Sequence, residues 1–190
     1  MGSTFNNVSI VLVQFAFGLL QLVFLLRILL QLVRANFFNP LSQFIVKVSN
    51  PVLIPLSKLL PRIGRFDTAA ASVFWLLCCL EVVLIYNLIL HANPGPLGII
   101  VMGLAEAIDL TLTVLFAVLI LVVIFSWVRP AEGNPVIPLL YQLSEPLTRP
   151  FRRLLPPMGG FDFSPMLAIL AIYLARIAFV APLRQLGLGL

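Results

Sequence analysis

Charged side chains are scarce in this sequence, and their scarcity excludes a water-soluble fold. Only 10% of the 190 residues are charged and 61% are hydrophobic, whereas about a quarter of the residues in an average soluble domain are charged. The mean hydropathy of +1.11 agrees with this excess. Because a bilayer-spanning helix needs about 20 apolar residues, a chain of this length has room for four. We therefore predict an all-α integral membrane protein.

Residues that carry metal, redox or nucleophilic chemistry are nearly absent as well. The only histidine is His91, and the two cysteines, Cys78 and Cys79, are neighbours inside an apolar run. Consecutive side chains of a helix point about 100° apart, so we interpret the cysteines as small buried hydrophobic residues and His91 as an interfacial one. The sequence contains no glycine-rich phosphate loop, nucleophile elbow or H-E-x-x-H motif. It predicts a protein that is not an enzyme and holds no metal or cofactor.

Four apolar runs have the length of a membrane span. They are Val8–Val33, Ala69–His91, Leu104–Val128 and Phe163–Leu183. We do not expect the first run to be a signal peptide, because residues 1–7 have no basic side chain and a signal peptide begins with a positive region. Linkers of residues 34–68 and 129–162 follow the first and third spans, and residues 92–103 form a short, uncharged central connection.

The two halves of the chain are copies of one unit. Arginine, asparagine, proline, glycine and aspartate residues of the first linker recur 95 residues later without a gap. They are Arg34, Asn39, Pro40, Pro51, Pro55, Pro61, Gly64 and Asp67 in the first linker, and Arg129, Asn134, Pro135, Pro146, Pro150, Pro156, Gly159 and Asp162 in the second. Chance similarity in a leucine-rich chain would match leucines, so this register indicates duplication of a backbone geometry. We predict two repeats, residues 1–95 and 96–190, each a hairpin of two spanning helices, in the same orientation.

Each linker is predicted to form two short amphipathic helices in the plane of the lipid headgroups. Asn39 and Asn134 suit the N-cap, and the proline after each suits the first helical position, which needs no N–H donor. Apolar residues then recur at helical spacing. They are Leu41, Phe44, Ile45 and Val48 in the first linker, and Val136, Leu139, Leu140 and Leu143 in the second. The alternative is that the linker helices pack on their own hairpin as structural caps.

The second short helix of the second linker combines apolar and basic residues. Leu147, Phe151 and Leu155 share one face. Arg149, Arg152 and Arg153 can reach water or phosphate from the other side. A helix of this kind lies in the headgroup region with its apolar side toward the acyl chains.

Lysine and arginine are concentrated in the two linkers. Nine of the 12 basic residues lie there, whereas the N-terminus and the central connection have none. Because cytoplasmic loops carry the excess of Lys and Arg, we predict that both linkers face the cytoplasm and both termini face outward. The net charge of +5, placed between apolar runs, favours anionic lipid headgroups and not nucleic acid, which requires a solvated basic face.

Three charged residues are predicted to lie at membrane depth, where each is a functional hypothesis by default. Arg27 can snorkel to the headgroups or meet an intramembrane partner. Glu81 and Arg176 occupy the same position of the repeat, 95 residues apart, with opposite charges, and we expect them to pair across the axis that relates the repeats. The competing interpretations are that Glu81 meets Arg27, or that these charges face water. Glu106 and Asp109 are expected to be solvated.

The second linker resembles the signature of the YggT family of small bacterial membrane proteins, which has plastid relatives. The resemblance rests on Asn134-Pro135 and, after nine intervening residues, on EPLTRPFRRLLPPMGGFDFSP from Glu145 to Pro165. It is looser in the first copy, where Asn50 replaces Glu145 and Ala69-Ala70 replaces Ser164-Pro165. The resemblance implies a multi-pass protein of the bacterial inner membrane with periplasmic termini. It supplies no catalytic residue.

Two functions from different classes remain open. The first is an interaction, assembly or membrane-organising factor whose candidate partners are anionic lipid, other membrane proteins and a second copy of the chain. The second is a transport role, with Glu81 and Arg176 lining a path for cations, although four helices leave little room for a pore. The resemblance implies links of bacterial relatives to osmotic or potassium tolerance and to cell-division gene neighbourhoods. It links plastid relatives to assembly of a cytochrome complex and to organelle organisation.

Overall fold

The computed structural model describes residues 2–90, 95–128, 133–154 and 162–190, and these residues are mostly helical. His91, Arg129, Pro156 and Gly159 lie outside the described residues. The helices are α1 (Gly2–Leu32), α2 (Pro40–Leu56), α3 (Thr68–Leu90), α4 (Pro96–Val128), α5 (Val136–Leu154), α6 (Ser164–Ala175) and α7 (Ala181–Gly189), with a π-helical turn at Arg176–Val180. The only β-type pairing in these parts of the chain is the isolated bridge between Ile63 and Phe66.

Four of the helical segments are long and apolar enough to cross a membrane. They are Asn7–Leu32, Thr68–Asn87, Pro96–Val128 and Ser164–Gly189. This confirms the predicted all-helical protein with four spans. The last span consists of α6, the π-helical turn and α7 in succession.

The third span begins earlier than the sequence predicts, at Pro96 and not at Leu104. Proline suits the first turn of a helix because that position needs no N–H donor. The Ile99 N–H donates to the Gly95 carbonyl at 3.0 Å, which closes the first turn. Most of the predicted central connection is therefore the beginning of α4.

The prediction of two short helices in each linker is wrong. α2 runs unbroken through Pro51 and Pro55, and α5 runs through Pro146 and Pro150. Proline in a helix interior removes one backbone hydrogen bond and costs about 3 kcal/mol. Each helix nevertheless continues because one face is buried along its whole length, and tertiary packing supplies most of the stability of helices in proteins. The buried residues are Ser42, Ile45, Ser49 and Leu53 in α2, and Leu139, Leu140, Leu143, Ser144 and Thr148 in α5.

A continuous hydrophobic core joins the two halves of the chain. α1 packs on α3, α3 packs on α4, and α4 packs on α7 and on α5, which also contacts α6. The core residues include Phe24, Leu25, Phe74, Cys78, Val118, Val122, Leu140 and Leu143. Cys78 is fully buried and its thiol is free, in agreement with its interpretation as a small hydrophobic residue.

Two glycines allow close helix contacts, as small residues do in membrane proteins. A Cβ on Gly103 would lie 3.1 Å from the Cα of Cys79, so α3 and α4 touch there. A Cβ on Gly187 would lie 3.3 Å from the Gly98 carbonyl oxygen, so α4 and α7 touch as well. Both contacts involve α4, which therefore lies at the centre of the packing.

Candidate functional site

The equivalent asparagines of the two linkers each begin a helix, and one of them also connects the two halves. Asn39 is the N-cap of α2 and its Oδ1 accepts from the Leu41 N–H at 2.9 Å. Asn134 Oδ1 accepts from the Val136 N–H at 3.0 Å, at the start of α5. The buried Asn39 also donates through Nδ2 to the Pro135 carbonyl at 2.6 Å. The capping was predictable from the sequence, whereas the bond between the linkers was not.

The loop between α2 and α3 reverses direction at Gly64. This glycine has φ +59°, in the left-handed region that favours glycine. The Phe66 N–H donates to the Ile63 carbonyl at 3.0 Å, and the Ile63 N–H donates back to Phe66 at 3.2 Å. The Pro61 carbonyl accepts from Thr68 Oγ1 at 2.8 Å, which ties the loop to the first turn of α3. Pro61 and Gly64 are thus positioned as structural residues of a turn.

Asp67 and Asp162 cap the second spanning helix of each half. Asp67 Oδ1 accepts from the Ala70 N–H at 3.1 Å, and Asp162 Oδ1 accepts from the Ser164 N–H at 2.9 Å. A carboxylate at this position satisfies an otherwise unpaired N–H and interacts favourably with the positive end of the helix dipole.

The arginines that neutralise these two carboxylates come from different positions of the repeat. Arg62 lies 3.6 Å from Asp67, and Arg152 lies 3.2 Å from Asp162. The residue 95 positions after Arg62 is Pro157, and the residue 95 positions before Arg152 is Ser57. Both copies therefore have the ion pair, but different repeat positions supply its arginine. A comparison of matching residues between the two halves does not reveal this pair.

Arg152 connects α5 to the beginning of α6. Besides Asp162 it contacts Glu145 at 3.2 Å. Partial desolvation tends to raise the pKa of Asp162, but hydrogen bonds from Ser164 and the charge of Arg152 outweigh it, so the pKa of Asp162 is lowered. Of the three arginines in this part of α5, only Arg152 makes an ion pair within the described residues. Arg149 and Arg153 are exposed.

α2 and α5 bury their apolar residues differently. In α5 the predicted apolar residues Leu139, Leu140 and Leu143 are buried. In α2 only Ile45 of the four predicted apolar residues is buried against the protein, and Phe44 is 59% exposed. The small Ser42 and Ser49 face α2's protein neighbours instead, and small side chains allow close contact between helices. The exposed apolar stripe of α2 consists of Leu41, Phe44, Val48 and Val52.

A groove between the two halves brings basic residues of both linkers together. Its volume is about 800 Å³. Arg65 of the first linker and Arg149 of the second lie along it, together with Glu145. Its apolar wall is formed by Leu29, Leu32, Val33, Leu115, Leu143 and Leu147. We call this feature the inter-repeat groove.

The predicted ion pair between Glu81 and Arg176 is not formed. Glu81 accepts a hydrogen bond from Gln21 Nε2 at 2.6 Å, and Arg176 Nε lies 2.5 Å from Asp109 Oδ1, at an angle unsuited to a hydrogen bond. Arg176 also donates to Thr113 Oγ1. Each charged residue thus contacts the first span of its own half, because that helix is its packing neighbour. The two equivalent positions therefore have different partners, Gln21 for Glu81 and Asp109 for Arg176.

The expectation that Glu106 and Asp109 are merely solvated is also wrong. Arg184 in α7 lies 3.0 Å from Glu106 and 2.9 Å from Asp109. Asp109 therefore bridges Arg184 and Arg176. The π-helical turn begins at Arg176, and such turns are frequent where a helix must redirect a side chain for function.

Arg27 and Arg34 lie at the linker end of α1. Arg34 has φ +54° and follows the last turn of the helix, where the Ala35 N–H donates to the Leu30 carbonyl at 2.8 Å. This is the hydrogen-bond pattern of a Schellman motif, in which glycine is the usual left-handed residue. The partly buried Arg27 lines a cavity together with Arg34. Within the described residues, no group of three His, Cys, Asp or Glu side chains could hold a metal ion.

Comparisons with known proteins point to one family. The family model described as CCB3/YggT matches residues 6–88 and again residues 101–183, so the second match begins and ends 95 residues after the first. An uncharacterised protein of Pseudomonas aeruginosa is 41% identical over 89% of this chain and 86% of its own length. The uncharacterised protein YggT of Escherichia coli is 36% identical over 89% of this chain and 87% of its own. No solved structure matches the chain.

Proposed function

This chain belongs to the CCB3/YggT family, and from that premise we propose that it is a membrane-organising protein of the bacterial inner membrane. Its two cytoplasmic linkers bind anionic lipid and other membrane proteins, and its termini lie in the periplasm. No catalytic step belongs to this function. The observation that carries the proposal is the inter-repeat groove, in which one arginine from each linker lies beside an apolar wall.

The chemistry of the groove suits an anionic phospholipid. Arg65 and Arg149 supply positive charge for the headgroup phosphate, and the leucines of the wall match an acyl chain. Each basic residue near an anionic membrane surface contributes about 1 kcal/mol of attraction. The negative charge of Glu145 would weaken this attraction, but Glu145 lies 3.2 Å from Arg152, which offsets that charge.

The exposed stripe of α2 supports placement of the linkers at the membrane surface. Leu41, Phe44 and Val48 are exposed on the same helix as the exposed Lys47. Exposed apolar residues beside a lysine are typical of helices that lie in the headgroup region. We infer that this stripe contacts the acyl chains of the cytoplasmic leaflet, and that the two hairpins have the same orientation.

The lipid proposal is tested with two double variants that remove equal charge. Arg65→Gln with Arg149→Gln removes both arginines of the groove. Lys58→Gln with Arg153→Gln removes one exposed cation from each linker outside the groove. Titration of the purified protein with phosphatidylglycerol, followed by thermal unfolding, should show about 30-fold weaker binding for the groove variant, since loss of the charged hydrogen bonds from two arginines to the phosphate costs about 2 kcal/mol or more.

The control variant should keep nearly the affinity of the unmodified protein and the same crosslinked partners in native membranes. Equal affinity for all three proteins, or equal losses for both variants, would contradict a role of the groove. Orientation is tested separately at the exposed Ser57. Labelling of Ser57→Cys from outside intact cells would overturn the cytoplasmic assignment of the linkers.

We do not propose the alternative of ion transport. It required Glu81 and Arg176 to line a common path, but Glu81 is bonded to Gln21 in α1 and Arg176 is paired with Asp109 in α4. Nothing else in the described residues favours it.

A further inference from the structure

We propose that the first half of the chain contains a specific binding site for a phosphate group, separate from the inter-repeat groove. The site is a cavity of about 350 Å³ between the end of α1, the first half of α2 and the loop before α3. A volume of this size is at the small end of ligand sites, which range from about 300 to 1,000 Å³. Its polar lining residues are Arg27, Gln31, Arg34, Ser42 and Arg62.

The charge of the cavity selects an anion. Arg27, Arg34 and Arg62 supply three positive charges. Asp67 offsets one of them through its pair with Arg62 at 3.6 Å, which leaves a formal excess of two. Arginine binds phosphate through two parallel hydrogen bonds, so clustered arginines are typical of phosphate recognition. A phosphate monoester or a lipid with two phosphate diesters would balance the excess.

Two buried polar atoms of the cavity have no partner among the described residues. They are Arg27 Nε and Ser42 Oγ. Ser42 is only 4% exposed, and buried polar groups are nearly always hydrogen-bonded. Protein atoms cover both in this structure, so a phosphate oxygen would accept from them once the Arg27 and Ser42 side chains turn toward the cavity. A bound cation would be repelled by the arginines. The same residues therefore select a negatively charged ligand and supply its hydrogen bonds.

The second half of the chain lacks this site. The residues 95 positions after Arg27, Ser42 and Arg62 are Val122, Ile137 and Pro157. None of these three can bind phosphate through its side chain. The helical framework of the repeat therefore does not require polar residues at these positions, and the charge of Arg27 in particular points to a ligand. Arg27 places a positive charge within a membrane span, where burial of the charge is costly unless a partner or ligand balances it.

The test measures phosphate binding to the full chain in neutral detergent by thermal unfolding during ligand titration. Glycerol 3-phosphate is the soluble probe, cardiolipin, which carries two phosphate diesters, is the lipid probe, and phosphatidylcholine is the zwitterionic control. We expect Arg27→Gln and Ser42→Ala each to weaken binding of the effective probe, by about 10-fold or more for the arginine because hydrogen bonds to charged groups are strong. Stabilisation by the lipid probe alone identifies a headgroup, and stabilisation by both probes identifies a phosphate group in general.

A third variant keeps the test interpretable if Arg27→Gln or Ser42→Ala fails to fold. Arg34→Gly removes a cavity arginine and also relieves the left-handed backbone at φ +54°, so it should be at least as stable as the unmodified protein while binding phosphate more weakly. The groove variant Arg65→Gln with Arg149→Gln should still bind phosphate at the cavity. Failure of the cavity proposal can therefore be distinguished from failure of the proposed function at the groove. Equal responses of the unmodified protein and of the Arg34→Gly and Ser42→Ala variants, or equal stabilisation by phosphatidylcholine, would overturn the proposal.

Discussion

Replacement of Gly103 by alanine should loosen the contact between α3 and α4, which joins the two halves of the chain. The new Cβ would overlap Cys79 Sγ and would lie 3.1 Å from Cys79 Cα. The sulfur can rotate away, but the backbone atom cannot. Because carbon atoms attract best at about 3.5–4.0 Å, the helices would have to separate by about 0.5 Å. Overpacking of this kind costs about 1–3 kcal/mol.

Gly18→Ala provides the matched control for this prediction. Gly18 also lies inside a spanning helix, but a Cβ there would meet no atom within 4 Å. Both substitutions gain up to about 1 kcal/mol of helix propensity, so the difference between the two variants isolates the contact with Cys79. We expect Gly103→Ala to be less stable than Gly18→Ala by about 1–3 kcal/mol. The assay is unfolding in mixed micelles by titration with dodecyl sulfate, followed by circular dichroism.

Addition of Cys79→Ala to Gly103→Ala should restore only part of the stability. The double variant removes the overlap with the sulfur but leaves the 3.1 Å contact with the Cα. Equal stability of Gly103→Ala and Gly18→Ala would refute the inferred closeness of α3 and α4. Full recovery in the double variant would show that only the sulfur obstructs the new methyl group.

Two further predictions concern the ion pairs. Asp109→Asn should destabilise the protein by about 1.5–3 kcal/mol in the same assay, because Arg176 and Arg184 both lose a charged partner. Glu106→Gln is the control and should lower the stability less, since Arg184 keeps its contact with Asp109. Equal losses of stability would contradict the bridging role of Asp109. The lowered pKa of Asp162 means that its contribution to stability is present above about pH 4 and disappears as the pH falls through that lowered pKa. Asp162→Asn should therefore remove this part of the acid-dependent loss of stability, measured as unfolding free energy against pH, and an unchanged pH profile would argue against the pair with Arg152.

The sequence predicts the features that depend on neighbouring residues along the chain. Runs of about 20 apolar residues are recognisable without tertiary information because the bilayer sets their length, and the four spans were found. Asn39 was predictable as an N-cap because capping involves only the next two or three residues. The resemblance to the YggT family was confirmed by two matches of the family model. The repeat boundaries, the orientation and the partners stay predictions.

The tertiary structure decided which side chains meet. α2 continues through Pro51 and Pro55 because packing of its buried face outweighs the local cost of proline. The partners of Glu81 and Arg176 follow from the helices that happen to lie beside them, and pairing by repeat symmetry was the wrong guide.

The small number of charged residues by itself indicated a membrane protein, since a bilayer is the environment in which so apolar a chain can bury its surface. It did not determine where the few charges go. Asp67 and Asp162 were visible as matched residues, but their arginines came from unmatched positions, Arg62 and Arg152. An ion pair depends on distance in space and not on position in a repeat, so only the folded chain could reveal it.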